Sequence, residues 1–199
     1  LPKKTILSPQ YPAAVIAGNV ETSQAVTSAL LLAFGIQAAS QSTMNNVTWG
    51  NQKYQYYETI CGGTGAGLLA NGKVHAGTSG VHSHMTNSRL TDPEILEHRF
   101  PVVLEEFSIR RGSGGFGFAK GGNGVIRKVR FLESMTFSII SGHRSVSPPG
   151  LHGGKGGSVG ETFLIRSNGE EIILNGCDKV SLFKDDRIII KTPGGGGYG

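Results

Sequence analysis

The 199-residue chain is long enough for one domain or for one large piece of a larger domain. Its formal net charge is +5, but Lys and Arg are scattered, and Arg127 and Lys128 would face opposite sides of a predicted strand. This distribution favours a solvated surface of mixed charge over a nucleic-acid patch. Cys61 and Cys177 are isolated thiols, which favours a reducing compartment over a disulfide. No apolar run approaches the roughly 18 residues needed to cross a bilayer.

The first predicted element is a helix over 20–34. Val26, Leu30 and Phe34 recur at four-residue spacing, which is typical of one apolar helix face. We interpret that face as core. Gly35 follows the last apolar residue and is predicted to end the helix in the left-handed conformation.

The stretch 75–101 combines a polar loop with a second, shorter helix. Thr91 and Glu94 have the spacing of a capping box, and Pro93 falls in the first helical turn. Pro101 closes the segment. The sequence therefore predicts a polar loop that is held at its C-terminal end by a helix of about two turns.

The second half of the chain is rich in β-branched and aromatic residues separated by glycine-dense turns. Ser167–Glu170 contains Asn168-Gly169 between apolar runs, a strong hairpin signal. The predicted class is α+β, with an N-terminal helix and a short central helix before a sandwich- or barrel-like C-terminal half. We treat 1–199 as a single region with a mixed part, 1–101, and a β-rich part, 102–199. A further strand is expected around Tyr54–Tyr57, and the predicted strands of the β-rich part are 102–110, 124–132, 135–141, 161–167, 170–174 and 179–191.

Glycine accounts for 31 residues and produces patterns that resemble nucleotide-binding loops. Gly112, Gly114 and Gly117 fit GxGxxG, but no helix is predicted after them to receive a pyrophosphate. HGGKGGS at 152–158 lacks the spacing of a phosphate-binding loop. The run 115–119, GFGFA, resembles an RNA-recognition signature but lacks its basic first position and its closing aromatic residue. These patterns do not predict a nucleotide or RNA site.

The most reactive cluster predicted from the sequence surrounds the polar loop. Glycines in CGGTGAG, at 61–67, permit close approach of the backbone to a ligand or to another segment. Arg89 could hold a carboxylate, and Asn87 could bond an amide. His84 or Glu58 could transfer a proton. The candidate set comprises His84 and Glu58 as catalytic residues, with Asn87, Arg89, Gly62, Gly63 and His82 as substrate-binding residues. The alternative is that these groups satisfy one another in a polar loop.

His82 and His84 would lie on the same face of a strand and could together ligate a metal. No Cys, Asp or Glu lies close enough in sequence to serve as a third ligand, because Asp92 and Glu94 belong to the predicted helix. We therefore predict no metal site in this chain. His143 and Arg144 form a second polar cluster, interpreted as loop surface or subunit interface.

Several spaced motifs resemble the C-terminal part of the hydantoinase B/5-oxoprolinase family. They are VHSHMTNSRLTDPEILEHRFPV, RRGSGGFG, GGNGVIRKVRF, GLHGG and TPGGGGYG, with NVETSQAV, STMNN and YYETICGGTGAG upstream. DPEILE, RRGSGG and GLHGG together resemble the 5-oxoprolinase branch. The resemblance covers nearly the whole chain and indicates a fragment of a longer protein.

This resemblance implies part of an ATP-dependent cyclic-amide hydrolase that converts 5-oxo-L-proline to L-glutamate. ATP and magnesium would be bound by a hydantoinase A-type domain or subunit, and potassium is a further expected cofactor. Expected partners are that A-type part, the N-terminal remainder of the B-type domain and further copies in a homo-oligomer, with neither nucleic acid nor membrane. The expected location is cytoplasmic. The alternatives are a non-catalytic interface fragment of such an enzyme, or a hydrolase of hydantoins or other lactams.

Overall fold

The computed structural model describes residues 2–5, 7–13, 18–41, 45–83 and 88–199, and side chains are described from Glu21 onward in the first helix. Within these ranges it contains two helices and eleven strands. None of the helices in this part of the chain is long and apolar enough to span a membrane. The elements are α1 (Gly18–Ala33), β1 (Asn45–Gly50), β2 (Gln55–Thr59), β3 (Gly67–Leu68), β4 (Val74–His75), α2 (Pro93–Arg99), β5 (Val102–Ile109), β6 (Val125–Phe131), β7 (Met135–Ser141), β8 (Glu161–Ile165), β9 (Glu171–Leu174), β10 (Cys177–Leu182) and β11 (Arg187–Lys191).

Two open antiparallel sheets form the main layers of the fold. The four-stranded sheet has the order β10-β7-β1-β2, and the five-stranded sheet has the order β5-β6-β11-β8-β9. Alternate residues of β6 and β7 are buried, so each strand presents one face to a common apolar core. Trp49 of one sheet meets Phe131 of the other edge to face, with ring centroids 5.6 Å apart. The α+β prediction is confirmed, and neither sheet closes into a barrel.

The two halves of the chain do not form separate sheets. The four-stranded sheet combines β1 and β2 from the first half with β7 and β10 from the second. Val47 of β1 is paired with Ile139 of β7, and both side chains lie in the core. The two sub-parts recognised from composition therefore share one sheet.

Helix α1 ends as predicted, but the face predicted to be buried is exposed. Gly35 has φ +69°, and its amide donates to the Leu32 carbonyl at 3.0 Å while the next amide donates to Leu31 at 3.0 Å. This is the hydrogen-bond pattern of a Schellman cap.

The prediction that Val26, Leu30 and Phe34 form core is wrong, because Leu30 is 51% and Phe34 70% exposed. Gln24 and Ser28 are buried instead. Ser28 on this face lines a cavity together with Gly142 and Pro149, so the inward face of α1 is not part of the apolar core between the sheets.

Helix α2 is capped by a different residue from the one predicted. Asp92 is the N-cap, and its Oδ1 accepts the Glu94 amide at 3.0 Å, with Pro93 at the first helical position. The capping box from Thr91 to Glu94 is therefore wrong. The hydroxyl of Thr91 lies 3.0 Å from that of Tyr56 on β2 instead, so tertiary contact has replaced the local cap.

The predicted strand 179–191 is two strands joined by a turn. Buried Asp186 accepts the Phe183 amide at 2.9 Å and Arg166 Nη1 at 2.7 Å, which fixes the turn. β10 then joins the four-stranded sheet, and β11 joins the five-stranded sheet. The predicted hairpin at Asn168-Gly169 is confirmed between β8 and β9, with Gly169 at φ +90°.

Glycine-rich segments pack backbone against backbone beside the two sheets. We call 62–67, 76–80, 112–124, 150–157 and 193–199 the glycine bundle. The segment 193–199 is central to it: the amide of Gly63 donates to Pro193 at 3.0 Å, that of Gly115 to Gly195 at 2.8 Å and that of Gly197 to Lys155 at 2.9 Å. A Cβ added at Gly195 would overlap the Thr64 carbonyl. Glycine is required there by close approach.

Candidate functional site

The candidate site is built around an ion pair between the two sheets. Glu58 of β2 and Arg127 of β6 point into the interior, with 6% and 1% of their side chains exposed. Arg127 Nε donates to Glu58 Oε1 at 2.6 Å. The Tyr56 hydroxyl lies 3.0 Å from Glu58 Oε2, so both carboxylate oxygens have partners.

The polar loop is tied to β2 and the following turn at both of its ends. Val81 forms an antiparallel bridge with Gly62, in which the Val81 amide donates to the Gly62 carbonyl at 3.0 Å. At the other end, Thr91 meets Tyr56. We call residues 82–90 the site loop. One end of the loop is therefore tied to Gly62 and the other to Tyr56, whose hydroxyl also bonds the Glu58 carboxylate.

Burial sets the protonation states around this pair. It lowers the pKa of the half-buried His82, so its imidazole is neutral at pH 7. Burial, reinforced by the Glu58 charge, raises the pKa of Tyr56, and burial raises the pKa of the Cys61 thiol. A neutral phenol and a neutral thiol therefore lie close enough to interact with the buried ion pair, and a neutral imidazole begins the site loop.

Arg127 is the site residue that sequence reasoning missed, because it was interpreted as part of a solvated surface. Its Nη2 is buried and has no hydrogen-bond partner among the described residues. The guanidinium also lies over the Phe107 ring, 5.6 Å from its centroid. The available signal was its alternation with Val125 and Val129, which placed Arg127 on the apolar face of a predicted strand.

The structure brings only some of the predicted site residues together. Glu58, Gly62, Gly63 and His82 lie along one edge, where β2 leads into the glycine bundle. Arg89 is exposed. His84 and Asn87 lie outside the described residues, and their roles stay predictions.

Gly62 and Gly63 serve a close approach between segments of this chain. A Cβ on Gly62 would overlap the Gln41 side chain, and one on Gly63 would overlap the Gly122 carbonyl. Their amides donate to Val81 at 3.4 Å and Pro193 at 3.0 Å. This arrangement matches the second of the two uses expected for these glycines, contact with another segment. A direct substrate contact stays a prediction.

The bundle does not fit the phosphates of ATP. The Gly114 amide donates to Asn123 Oδ1 at 3.0 Å, and the Gly115 amide donates to Gly195 at 2.8 Å. A phosphate-binding loop needs free amides and a following helix, whereas a turn and irregular segment follow β5. Over the ranges that the structure describes, no group of three or more His, Cys, Asp or Glu side chains could hold a metal ion.

Comparison with known proteins defines the class. The chain belongs to the hydantoinase B/oxoprolinase family, whose model matches residues 1–199. It is 48% identical over 199 residues to a 5-oxoprolinase of Dictyostelium discoideum and 48% identical over 199 residues to 5-oxoprolinase 1 of Arabidopsis thaliana. All of this chain is covered in both comparisons, but it spans only 15% of the length of each relative.

Two solved structures share the fold. An ATP-dependent caprolactamase from Pseudomonas jessenii superposes with a TM-score of 0.63 at 21% identity, covering 82% of this chain and 30% of that one. A nucleotide-free acetone carboxylase superposes with a TM-score of 0.63 at 19% identity, covering 81% of this chain and 26% of that one.

Proposed function

We propose that this chain is part of an ATP-dependent cyclic-amide hydrolase that opens 5-oxo-L-proline to L-glutamate. The observation that carries the proposal is the match over all 199 residues to proteins named 5-oxoprolinase, at 48% identity. The chain would be the C-terminal part of a B-type domain. Its partners would be the remainder of that domain, a hydantoinase A-type part and further copies of the protein in the cytoplasm.

The proposed reaction explains why ATP is needed. An unstrained five-membered lactam is a stable amide, and ATP bound by the A-type part, with magnesium and potassium, would supply activation of the lactam oxygen. The glycine bundle of this chain offers no phosphate cradle, which supports the assignment of ATP to another part of the protein.

The residues of this chain would bind and orient the lactam and move a proton. Arg89 is exposed and would pair with the substrate carboxylate, and Asn87 would bond the lactam amide. His84 would transfer the proton. His82, neutral at pH 7 because burial lowers its pKa, would contact the ring beside Gly62.

Glu58 would also transfer a proton in this proposal, subject to one constraint. Arg127 and Tyr56 occupy its two oxygens, so proton transfer by Glu58 requires one of these bonds to open. A carboxylate held in this way also fixes the β2 edge against which both ends of the site loop are tied. Glu58→Gln removes the proton-transfer group and also weakens the pair with Arg127, so its turnover and its free energy of unfolding are measured together; lost turnover with unchanged stability would indicate the catalytic use.

A structural role for this chain within the same enzyme is the second candidate. It is favoured by the amides of Gly62, Gly63 and Gly115, which all donate hydrogen bonds to other segments of this chain. In that case the chain would build the pocket wall or a domain interface, and the reacting groups would come from elsewhere in the protein.

The test is ATP-dependent glutamate release from 5-oxoproline, measured for this chain alone and for this chain with the rest of its protein. We expect activity only in the complemented sample. Hydantoin and caprolactam, assayed in parallel, test the alternative substrates. No turnover of any lactam by a demonstrably formed complex would overturn the proposed activity.

A further inference from the structure

A cavity lies beside the loop that follows β7. Its volume is about 410 Å³, within the range of small-ligand sites. Phe163, Ile173 and Leu174 provide an apolar wall, and Ser145 and Asn175 provide polar groups. Arg144 lines the same cavity.

The Arg144 guanidinium is bonded only to neutral groups among the described residues. Nη1 donates to Asn45 Oδ1 at 3.2 Å and to the Gly142 carbonyl at 3.0 Å, and Nη2 donates to Thr162 Oγ1 at 3.4 Å. Nε is buried without a hydrogen-bond partner. A guanidinium has five N–H donors, so these bonds leave two of them unused. The interpretation of Arg144 as loop surface is therefore corrected.

The neighbouring carboxylate does not neutralise this charge. Glu161, which also lines the cavity, is bound by Arg110 at 2.7 Å and lies 3.9 Å from Lys191. Burial, followed by the charge of Arg110, lowers the pKa of Arg144 to about 10, against the opposing effect of Glu161. Arg144 remains protonated at pH 7, and the group carries excess positive charge.

The Arg144 side chain packs against the backbone of two glycines. A Cβ on Gly160 would overlap Arg144 Nη1, and a Cβ on Gly176 would lie 3.3 Å from Arg144 Cγ. Asn45, which accepts from Nη1, is itself held by its bonds to Gln41 and to the Ile60 carbonyl. The charge is thus positioned by surrounding structure on several sides.

We propose that this cavity binds a small carboxylate or phosphate anion through Arg144. A partly buried guanidinium without a carboxylate partner is costly, and an oxyanion would offset that cost. The second N–H of Nη2, which has no partner among the described residues, would donate a charge-assisted hydrogen bond to an oxygen of either anion. The apolar wall of the cavity would accommodate a short hydrocarbon body on a carboxylate.

The test is calorimetric titration of the complete protein with inorganic phosphate and, separately, with butyrate. Arg144→Lys retains the charge but removes the Nη2 donor. Ile173→Trp fills the cavity from an edge-strand position that is 72% exposed, without altering Arg144. Arg187→Gln removes a surface arginine that pairs with Glu105 and is the matched control.

We expect at least one of the two anions to bind the wild type and Arg187→Gln equally. Its affinity should fall about tenfold in Arg144→Lys, in keeping with the loss of one charge-assisted hydrogen bond, and binding at this site should be lost in Ile173→Trp. Phosphate bound elsewhere would be unchanged by either cavity variant. Equal binding of both anions by wild type, Arg144→Lys and Ile173→Trp, or no binding to the wild type, would overturn the proposal. Ile173→Trp decides the question if Arg144→Lys does not fold.

Discussion

The core between the two sheets is packed by side chains, whereas the glycine bundle is packed by backbone. Between the sheets, large side chains such as Trp49, Phe131 and Phe137 interdigitate. In the bundle, backbone carbonyls occupy the positions where side chains would be, as Thr64 does at Gly195. A side-chain core tolerates rearrangement of rotamers, whereas a backbone contact cannot accommodate an added methyl group. The two regions should therefore respond differently to single substitutions.

The candidate site lies where these two kinds of packing meet. β2 places Glu58 between the sheets, and four residues later Gly62 is in the bundle. The site loop is attached on both sides of that junction. The candidate site is consequently supported by packed side chains on one side and by hydrogen-bonded backbone on the other.

The largest effect is expected from adding one methyl group to the bundle. Gly195→Ala would overlap the Thr64 carbonyl, and we expect destabilisation beyond the roughly 5 kcal/mol at the lower end of domain stabilities, so that the fold is lost. Gly112→Ala is the matched control, because its Cβ would meet open space at φ +80° and should cost only about 1–2 kcal/mol. Urea unfolding followed by circular dichroism measures both, and similar stabilities would show that backbone packing does not limit this region.

The next effect concerns the charge between the sheets. Arg127→Met leaves Glu58 buried without its ion-pair partner, and we expect a loss of about 3–5 kcal/mol in the free energy of unfolding. The double variant Glu58→Leu/Arg127→Met removes both charges and should recover most of that loss. Chemical denaturation of the single and double variants tests this coupling. A double variant as unstable as Arg127→Met would mean that the loss does not come from leaving the Glu58 charge unpaired.

A smaller effect should appear when the pH is lowered. Burial lowers the pKa of His82 and also that of His143, so the unfolded chain binds these protons more readily. Their contribution to stability is complete above the ordinary histidine pKa of about 6.5 and is lost as pH falls from there through the folded values. Thermal unfolding of wild type and His82→Gln between pH 7.5 and pH 5 should give a shallower decline for the variant. Parallel curves would contradict the burial of a neutral His82.

The smallest effect is expected on the outer face of the five-stranded sheet. Partial burial raises the pKa of Glu105, but hydrogen bonds and charges from Lys128 and Arg187 outweigh it and lower the pKa overall. Glu105→Gln should cost less than about 1 kcal/mol, and the difference from wild type should shrink further as salt is added. Unfolding at two ionic strengths measures it. A loss as large as that of Arg127→Met would remove the contrast between surface and interior charge.

Local sequence patterns predicted the helices and turns better than they predicted what each element packs against. Asn168-Gly169 fixed a hairpin, and Gly35 marked the end of α1, because each depends on a backbone conformation that the residue itself favours. The apolar spacing of Leu30 and Phe34 correctly indicated a helix but not which face is buried. That choice depends on what lies beside the helix.

The arrangement of the candidate site was only partly predictable for the same reason. Glu58 and His82 were selected from one stretch of polar residues and glycines. Arg127 bonds Glu58 across 69 positions, and no local motif links them. Gly195 likewise meets Thr64 only through the tertiary fold. Composition identified these glycines as unusual, but their packing partners come from distant segments.

The most direct test of the proposed site is 5-oxoproline turnover by the complete protein carrying Arg89→Ala or His84→Ala. For Arg89→Ala we predict a KM raised by about 10- to 100-fold, from loss of a charge-assisted contact to the substrate carboxylate. For His84→Ala we predict a kcat lowered by roughly 10²- to 10⁴-fold, from loss of a proton-transfer group. Arg111→Ala, at another exposed arginine, should leave both constants unchanged. Unchanged turnover in both site variants, with a normal fold, would remove the site loop from the mechanism.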